Sequence, residues 1–462
     1  MSLPSTVNRR YITIAASVLV ILWLWVAFDR PYKPEHFWNP YSNSELGDKN
    51  VDVFDFPPIE SAAIQEVCRT TEWNSSVIFT CDNNHDGIGH VRNSILNCVR
   101  FAIAGGGALV LPRIAVREME SHSDQETEAG LGKRNGPGSR SMDYMFDVDH
   151  FIQSLRLSCP EMILLRSLEQ DASDRRKGLQ PEALVLNRPI TGLEHPEKWR
   201  SLFDQWVEEK FSVEEAQTLE TEPIVIDLEQ SFLSYPTQSD GDEFAHKFGE
   251  LLKFRPDTRV LATAVLTELQ KWYDMGGKIT DSIMAPSFFG AHLRTSEFEE
   301  HLDRRHVALA PFMHYDAQAV AYLEQARAAN IALMYVSSGN PSDVARLEEQ
   351  ARSWGIDVTH KDGLLKGKHQ EQFALLIWDQ QAIIDYLVLT KSEEFAGVGH
   401  SSFSWNVALK RQHLAKVSGY KDSTRKAQGS GILSDDGDWS DGLSTLYGVR
   451  KGYVESSECM WE

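Results

Sequence analysis

The sequence predicts an α/β protein of two Rossmann-like, doubly wound domains facing each other across a cleft, behind an N-terminal transmembrane anchor. Three observations carry this expectation. A strand, helix, strand unit fills residues 76–111, a regular alternation of strands and helices follows Pro286, and an uncharged apolar run covers residues 11–28. With 462 residues the chain is long enough for two full domains, and 42% apolar with 10% aromatic residues gives them cores. The balance of 46 basic against 67 acidic side chains leaves a net charge of -21. That charge argues against a partner nucleic acid held on a basic face, so any polyanionic ligand must be held by a few local positive groups.

Residues 1–10 read as a cytoplasmic tail ending in Arg9 and Arg10. Residues 11–28 (YITIAASVLVILWLWVAF) just span a thin hydrocarbon core at about 1.5 Å per residue. The arginines on the short amino side keep the N-terminus cytoplasmic and send the bulk of the chain across. No small-x-small cleavage site precedes Asp29 and Arg30, which favours a signal anchor over a cleaved signal peptide. The expected location is therefore a single-pass type II membrane protein of the Golgi or endoplasmic reticulum, with the folded part lumenal. Residues 29–58, polar and rich in Pro and Asn, form the expected stem.

A lumenal compartment changes how the five cysteines read. Cys68, Cys81, Cys98, Cys159 and Cys459 lack metal-ligand spacing and suggest one or two disulfides with one cysteine left over. Cys68 with Cys81 is the pairing to test, because the two bracket Asn74-Ser75-Ser76, the single N-glycosylation sequon; spacing alone does not fix connectivity.

The first domain, 59–255, opens with the apolar strand Ser76–Thr80. The loop Cys81–His90 follows, and Val91, Ile95, Val99, Ala102 and Ile103 then recur at helical spacing. Gly105-Gly106-Gly107 ends that helix ahead of a buried strand at Ala108–Leu111. Gly87 and Gly89 resemble part of a dinucleotide fingerprint, but the third glycine is missing and NAD is not expected. They let the backbone turn sharply and leave His85, Asp86 and His90 at the cleft. Residues 118–140 read as a surface loop, Tyr144–Leu157 as core, Leu184–Leu186 and Ile224–Ile226 as strands, and Glu243–Phe254 as a helix.

In the second domain, 256–420, the central strand is Pro286–Thr295. Alternation along a strand points His292 and Arg294 the same way and Leu293 into the core, placing two anion-capable donors at a strand's carboxyl end. Helices are expected at Tyr315–Ala328, from Asn340 to about Trp354, at Glu371–Leu389 and at Ser402–Lys410; strands at Ile331–Val336, Asp357–Thr359 and Glu394–Gly397. The turn Gly397-Val398-Gly399-His400-Ser401-Ser402-Phe403-Ser404 leaves a strand and enters a helix with hydroxyls at the cap, an end suited to a phosphate. The tail, 421–462, rich in Ser, Asp and Gly, gives no readable signal.

His292-Leu293-Arg294, the spacing from Asp385 through Phe395-Ala396-Gly397 to Ser401-Ser402-Phe403, and Gly87-Ile88-Gly89 with Leu109–Pro112 together resemble the GDP-fucose protein O-fucosyltransferase family. The resemblance covers about Val77 to Arg411. It implies an inverting fucosyltransferase of GT-B fold that moves fucose from GDP-fucose to a hydroxyl of a protein or glycan, without cofactor or metal. It also implies roles: Arg294 neutralising the β-phosphate, His292 contacting the guanosine, Asp385 accepting from the guanine, Ser401 and Ser402 holding the pyrophosphate with the Gly87 and Gly89 turn nearby, and Phe403 packing on the base. Where family members carry a carboxylate in the first glycine turn this chain has Ile88, and His90 stands where another branch has an asparagine. Asp86 or His90 is then the candidate base, or the reaction runs with little base assistance. Beyond the Ile331–Val336 strand, where the family commonly shows an Asp, stand Ser337-Ser338-Gly339. A different nucleotide-sugar donor, or a lumenal glycan- or nucleotide-binding protein without catalysis, fits the same motifs.

Overall fold

Val77–Thr80 (β1) is a run of branched and aromatic residues buried on both faces, as a central parallel strand requires. The computed structural model describes residues 52–116, 139–168, 176–184, 192–211, 223–229, 235–295, 311–420, 431–434, 437–449 and 460–461. The expected span 11–28, most of the stem, the 118–140 loop but for its last two residues, and Cys459 lie outside them. Among the described residues no helix is long and apolar enough to cross a membrane. Residues 52–58, at the end of the expected stem, pack on the folded unit: Val53, Phe54 and Phe56 touch its core, and Asp52 and Asp55 pair with Arg259.

The first half continues from Ala62–Thr70 (α1) and β1 into Ile88–Gly105 (α2), Ala108–Val110 (β2) and Val148–Ser158 (α3). Gly106 closes α2 in the left-handed conformation at φ 65°. Leu164–Leu165 (β3), Lys177–Gly178 (β4), Trp199–Lys210 (α4), Ile224–Asp227 (β5) and Asp242–Gly249 (α5) complete it. The five strands run parallel in the order β3-β2-β1-β5-β4. The strand expected at Leu184–Leu186 is not formed at its start, where Pro181–Leu184 is a 3-10 turn. The edge strands that do form are two residues long and carry no periodicity to read.

Pro256–Tyr273 (α6) bridges to the second half: Phe289–Leu293 (β6), Tyr315–Ala328 (α7), Leu333–Ser338 (β7), Pro341–Arg352 (α8), Asp357–Thr359 (β8), Trp378–Lys391 (α9), Glu394–Val398 (β9) and Ser402–Ser418 (α10). The long helix expected at 371–389 is two, Lys368–Ala374 and α9, broken at Leu375-Leu376-Ile377, where apolar residues disguise the joint. The tail supplies Ile432–Leu433 (β10), Trp439–Ser440 (β11) and Ser444–Tyr447 (β12), and the sheet order is β8-β7-β6-β9-β12-β11-β10. From β8 to β12 neighbours are parallel; the last two pairs are antiparallel. Trp461 is fully buried, its indole donating to Asn97 Oδ1 at 2.8 Å and its ring against Phe248.

The disulfide expectation is corrected. Cys68 bonds to Cys159, and Cys81 to Cys98. Cys81 follows β1 and Cys98 lies on α2, while α1 brings Cys68 against the end of α3; proximity in space, not bracketing of the sequon, decides. Asn74 is exposed, as a glycan acceptor requires.

Candidate active site

The chain passes from β6 outward to β7 and β8 on one side, then returns to lay β9 on the other. The order reverses between β6 and β9, and ligands of open parallel sheets bind outside the carboxyl ends of the strands at such a point. His292 and Arg294 end β6; Gly399–Ser402 leave β9.

Phe289, Ala291 and Leu293 face one way, into the cluster with Tyr322, Leu323, Met334 and Val336. His292 faces the other, as alternation requires. Its Nδ1 lies 2.7 Å from Ser404 Oγ, and its ring is 4.5 Å from that of Phe403. Ser404 Oγ also accepts the Val398 N–H, at 3.2 Å. Nδ1 and the hydroxyl thus share one hydrogen bond whose direction follows the imidazole tautomer. Burial, with the Arg294 and His400 charges, pushes the His292 pKa down to about 3, and the ring stays neutral at physiological pH. Gly397 is needed beside it, since a Cβ there would stand 2.5 Å from Ser404 Oγ.

Arg294 is exposed, and its backbone is clamped: the N–H donates to Gln318 Oε1 at 2.8 Å, and its carbonyl accepts from Gln318 Nε2 at 2.6 Å. Gln318 is completely buried, and sequence reasoning missed it; the signal was a polar residue on a helix face otherwise made of Ala319, Tyr322 and Leu323.

Two helix N-termini meet here. α10 is capped by Ser401, whose hydroxyl accepts from Ser404 N–H; α2 is capped by Gly87 with no side-chain bond. Ser402 Oγ and His90 Nδ1 lie 2.7 Å apart, and Asn406 Nδ2 donates to Ser402 O at 2.9 Å. Gly89 permits the approach, because a Cβ there would be 2.7 Å from the Ser402 carbonyl oxygen. Neither first turn carries an acidic residue. Two positive dipole ends and Arg294 thus share a region suited to an anion.

Asp86 sits before Gly87 with φ 78°, its carboxylate 3.0 Å from His85 Nδ1 and roughly half exposed. Asp385 is differently placed from the rest. It is buried on α9, and its carboxylate accepts from Tyr335 Oη at 2.7 Å, Ser337 Oγ at 3.1 Å and Lys361 Nζ at 2.7 Å. Both oxygens are therefore engaged by protein donors. The site gathers His292, Arg294, Ser401, Ser402, Phe403, Gly87, Gly89 and His90, with Asp86 on the adjoining loop and Asp385 beneath the end of β7.

Residues 78–414 match the model of the GDP-fucose protein O-fucosyltransferase family. The chain belongs to that family. A GDP-fucose protein O-fucosyltransferase family member is a glycosyltransferase, and this one is a fucosyltransferase by that membership. No curated protein sequence matches the chain. Among solved structures, it is similar to POFUT1 in complex with GDP-fucose, at 13% identity and TM-score 0.41, over 82% of this chain and 99% of that one. It is also similar to a variant of Arabidopsis thaliana FUT1 in complex with GDP, at 10% identity and TM-score 0.36, over 76% and 71% of the two chains. The fucosyltransferase NodZ from Bradyrhizobium follows at 15% identity and TM-score 0.33, over 71% and 91%.

Proposed function

We propose that the protein transfers fucose from GDP-fucose to a hydroxyl of a protein or glycan acceptor with inversion at the anomeric carbon. The observation that carries this is the meeting of two acid-free helix N-termini beside Arg294 at the switch point of the second sheet. As the glycosidic bond breaks, the β-phosphate gains charge, and a guanidinium with oriented N–H and O–H donors stabilises that charge more in the transition state than before it. Ser401 and Ser402 hold the diphosphate, His292 contacts the nucleoside, and Phe403 stacks on the base. The acceptor hydroxyl attacks the face opposite the leaving group, giving up its proton to Asp86 or His90.

A second donor is favoured by one observation, that Asp385 already accepts from Tyr335, Ser337 and Lys361; Ser337-Ser338-Gly339, where the resembling family commonly shows an Asp, agrees with it. Calorimetric titration with GDP, UDP and ADP separates the two. GDP alone should bind, and Arg294→Ala should abolish turnover with GDP-fucose; equal binding of all three would sink the guanine assignment. The lumenal setting through an anchor at 11–28 belongs to the same proposal. The Cys68–Cys159 and Cys81–Cys98 bridges suit an oxidising compartment. Protease treatment of sealed microsomes should leave the folded part intact, and its digestion without detergent would refute that topology.

A further inference from the structure

Ser402 has one hydroxyl proton, and His90 Nδ1 lies 2.7 Å from its oxygen across the contact between α2 and α10. A neutral imidazole nitrogen without a proton accepts that O–H. The proposed diphosphate site makes a competing demand on the same proton, because a phosphate oxygen can only accept. Once Ser402 turns its O–H to phosphate, its oxygen presents lone pairs to Nδ1. The bond survives only if Nδ1 carries a proton, in the neutral Nδ1–H tautomer or in the imidazolium, and the nearby anion favours the imidazolium.

From this geometry we infer that binding of the donor's diphosphate is coupled to uptake of a proton by His90. The proton comes from solvent onto Nδ1, and the relay then runs from His90 through Ser402 to the phosphate. This inference rests on the donor site proposed above and deepens it. His90 becomes a positioning residue that acts through Ser402 on the leaving group; protonated, it cannot serve as the general base, and that role passes to Asp86.

The surrounding charges are mixed. Asp86, paired with His85, precedes α2, and Arg92 lies on α2 itself, donating to Asn406, to the Trp461 carbonyl and to the Gly249 carbonyl. From the facing side come His400, ahead of α10, and Arg294 and the neutral His292 at the end of β6.

The test is calorimetric titration of the full chain with GDP-fucose near neutrality, in two buffers of different ionisation enthalpy. GDP-fucose carries a diphosphate diester with no ionisation in this range, so any proton taken up enters the protein. The expected result is net uptake, with affinity weakening as pH rises, by up to about tenfold per unit. His90→Gln, which keeps a hydrogen-bonding amide and cannot titrate, should bind with no uptake and a flat pH profile. Ser402→Ala, which removes the relay but not the imidazole, should bind more weakly with reduced uptake; circular dichroism checks that both variants fold. Binding without uptake, or uptake that persists in His90→Gln, would overturn the coupling and leave the donor assignment standing. Failure of the wild-type chain to bind GDP-fucose would overturn the donor assignment and the coupling with it.

Discussion

Ser404→Ala removes a single oxygen that is buried completely and serves two groups at once. Its hydroxyl accepts the Val398 N–H at 3.2 Å and shares a hydrogen bond with His292 Nδ1 at 2.7 Å. Each group is left without a partner in a place water does not reach, at roughly 1–3 kcal/mol apiece. The sum is discounted because the Val398 bond is long, and the expected loss is about 3 kcal/mol. The variant also frees the imidazole ring from its anchor, so the ring is no longer held toward the nucleoside, and donor affinity should fall by roughly tenfold, worth about 1.4 kcal/mol. Urea unfolding monitored by tryptophan fluorescence gives the first quantity, and calorimetric titration with GDP the second. A stability loss below about 1 kcal/mol with unchanged affinity would refute the double role given to Ser404, because such a result requires that the oxygen served neither neighbour.

Two further outcomes follow from the same geometry. The folded-state pKa of His292 lies near 3 against 6.5 for the free side chain, so below 6.5 the unfolded chain binds a proton that the folded one refuses. Stability should fall as pH drops through that value, by about 2 kcal/mol at pH 5, and His292→Gln should remove this share of the acid sensitivity in unfolding measured against pH. Lys361→Met strips a buried carboxylate of its cation; because Tyr335 and Ser337 still donate to Asp385, the loss should sit near the low end for broken buried pairs, roughly 3 kcal/mol. Adding Asp385→Asn should recover much of it, and a double variant no more stable than Lys361→Met alone would show that the charge was not the cause.

The legible part of the fold was the part set by local periodicity. β1, β2, β6 and α7 lie where apolar alternation and helical spacing put them, and Tyr315–Ala328 matches to the residue. Missing were structures without a local signal. The break at Leu375-Leu376-Ile377 has neither glycine nor proline, yet Ile377 is extended with ψ 164° and a new helix begins behind it. β12 comes from a tail of serines and glycines because Ser444 and Leu446 need only one buried face, and its backbone finds β9 already waiting.

The site divides along the same line. Strand ends at a switch point are a consequence of alternation, so His292, Arg294, Ser401 and Ser402 could be named from the sequence, whereas their partners are set by packing. Ser404 reaches His292 across 112 positions, and Ser402 reaches His90 across 312. The motif around Asp385 shows what that costs. A carboxylate two turns into a helix facing a strand end reads as a donor-base contact, but its environment also holds Lys361, which no spacing rule connects to it. Asp385 already accepts from Tyr335, Ser337 and Lys361, each bonded at 3.1 Å or closer, so a base reaching it meets a carboxylate with most of its acceptor sites in use. Base recognition is therefore better sought first in the imidazole of His292 and the ring of Phe403 than in the carboxylate the motif suggests.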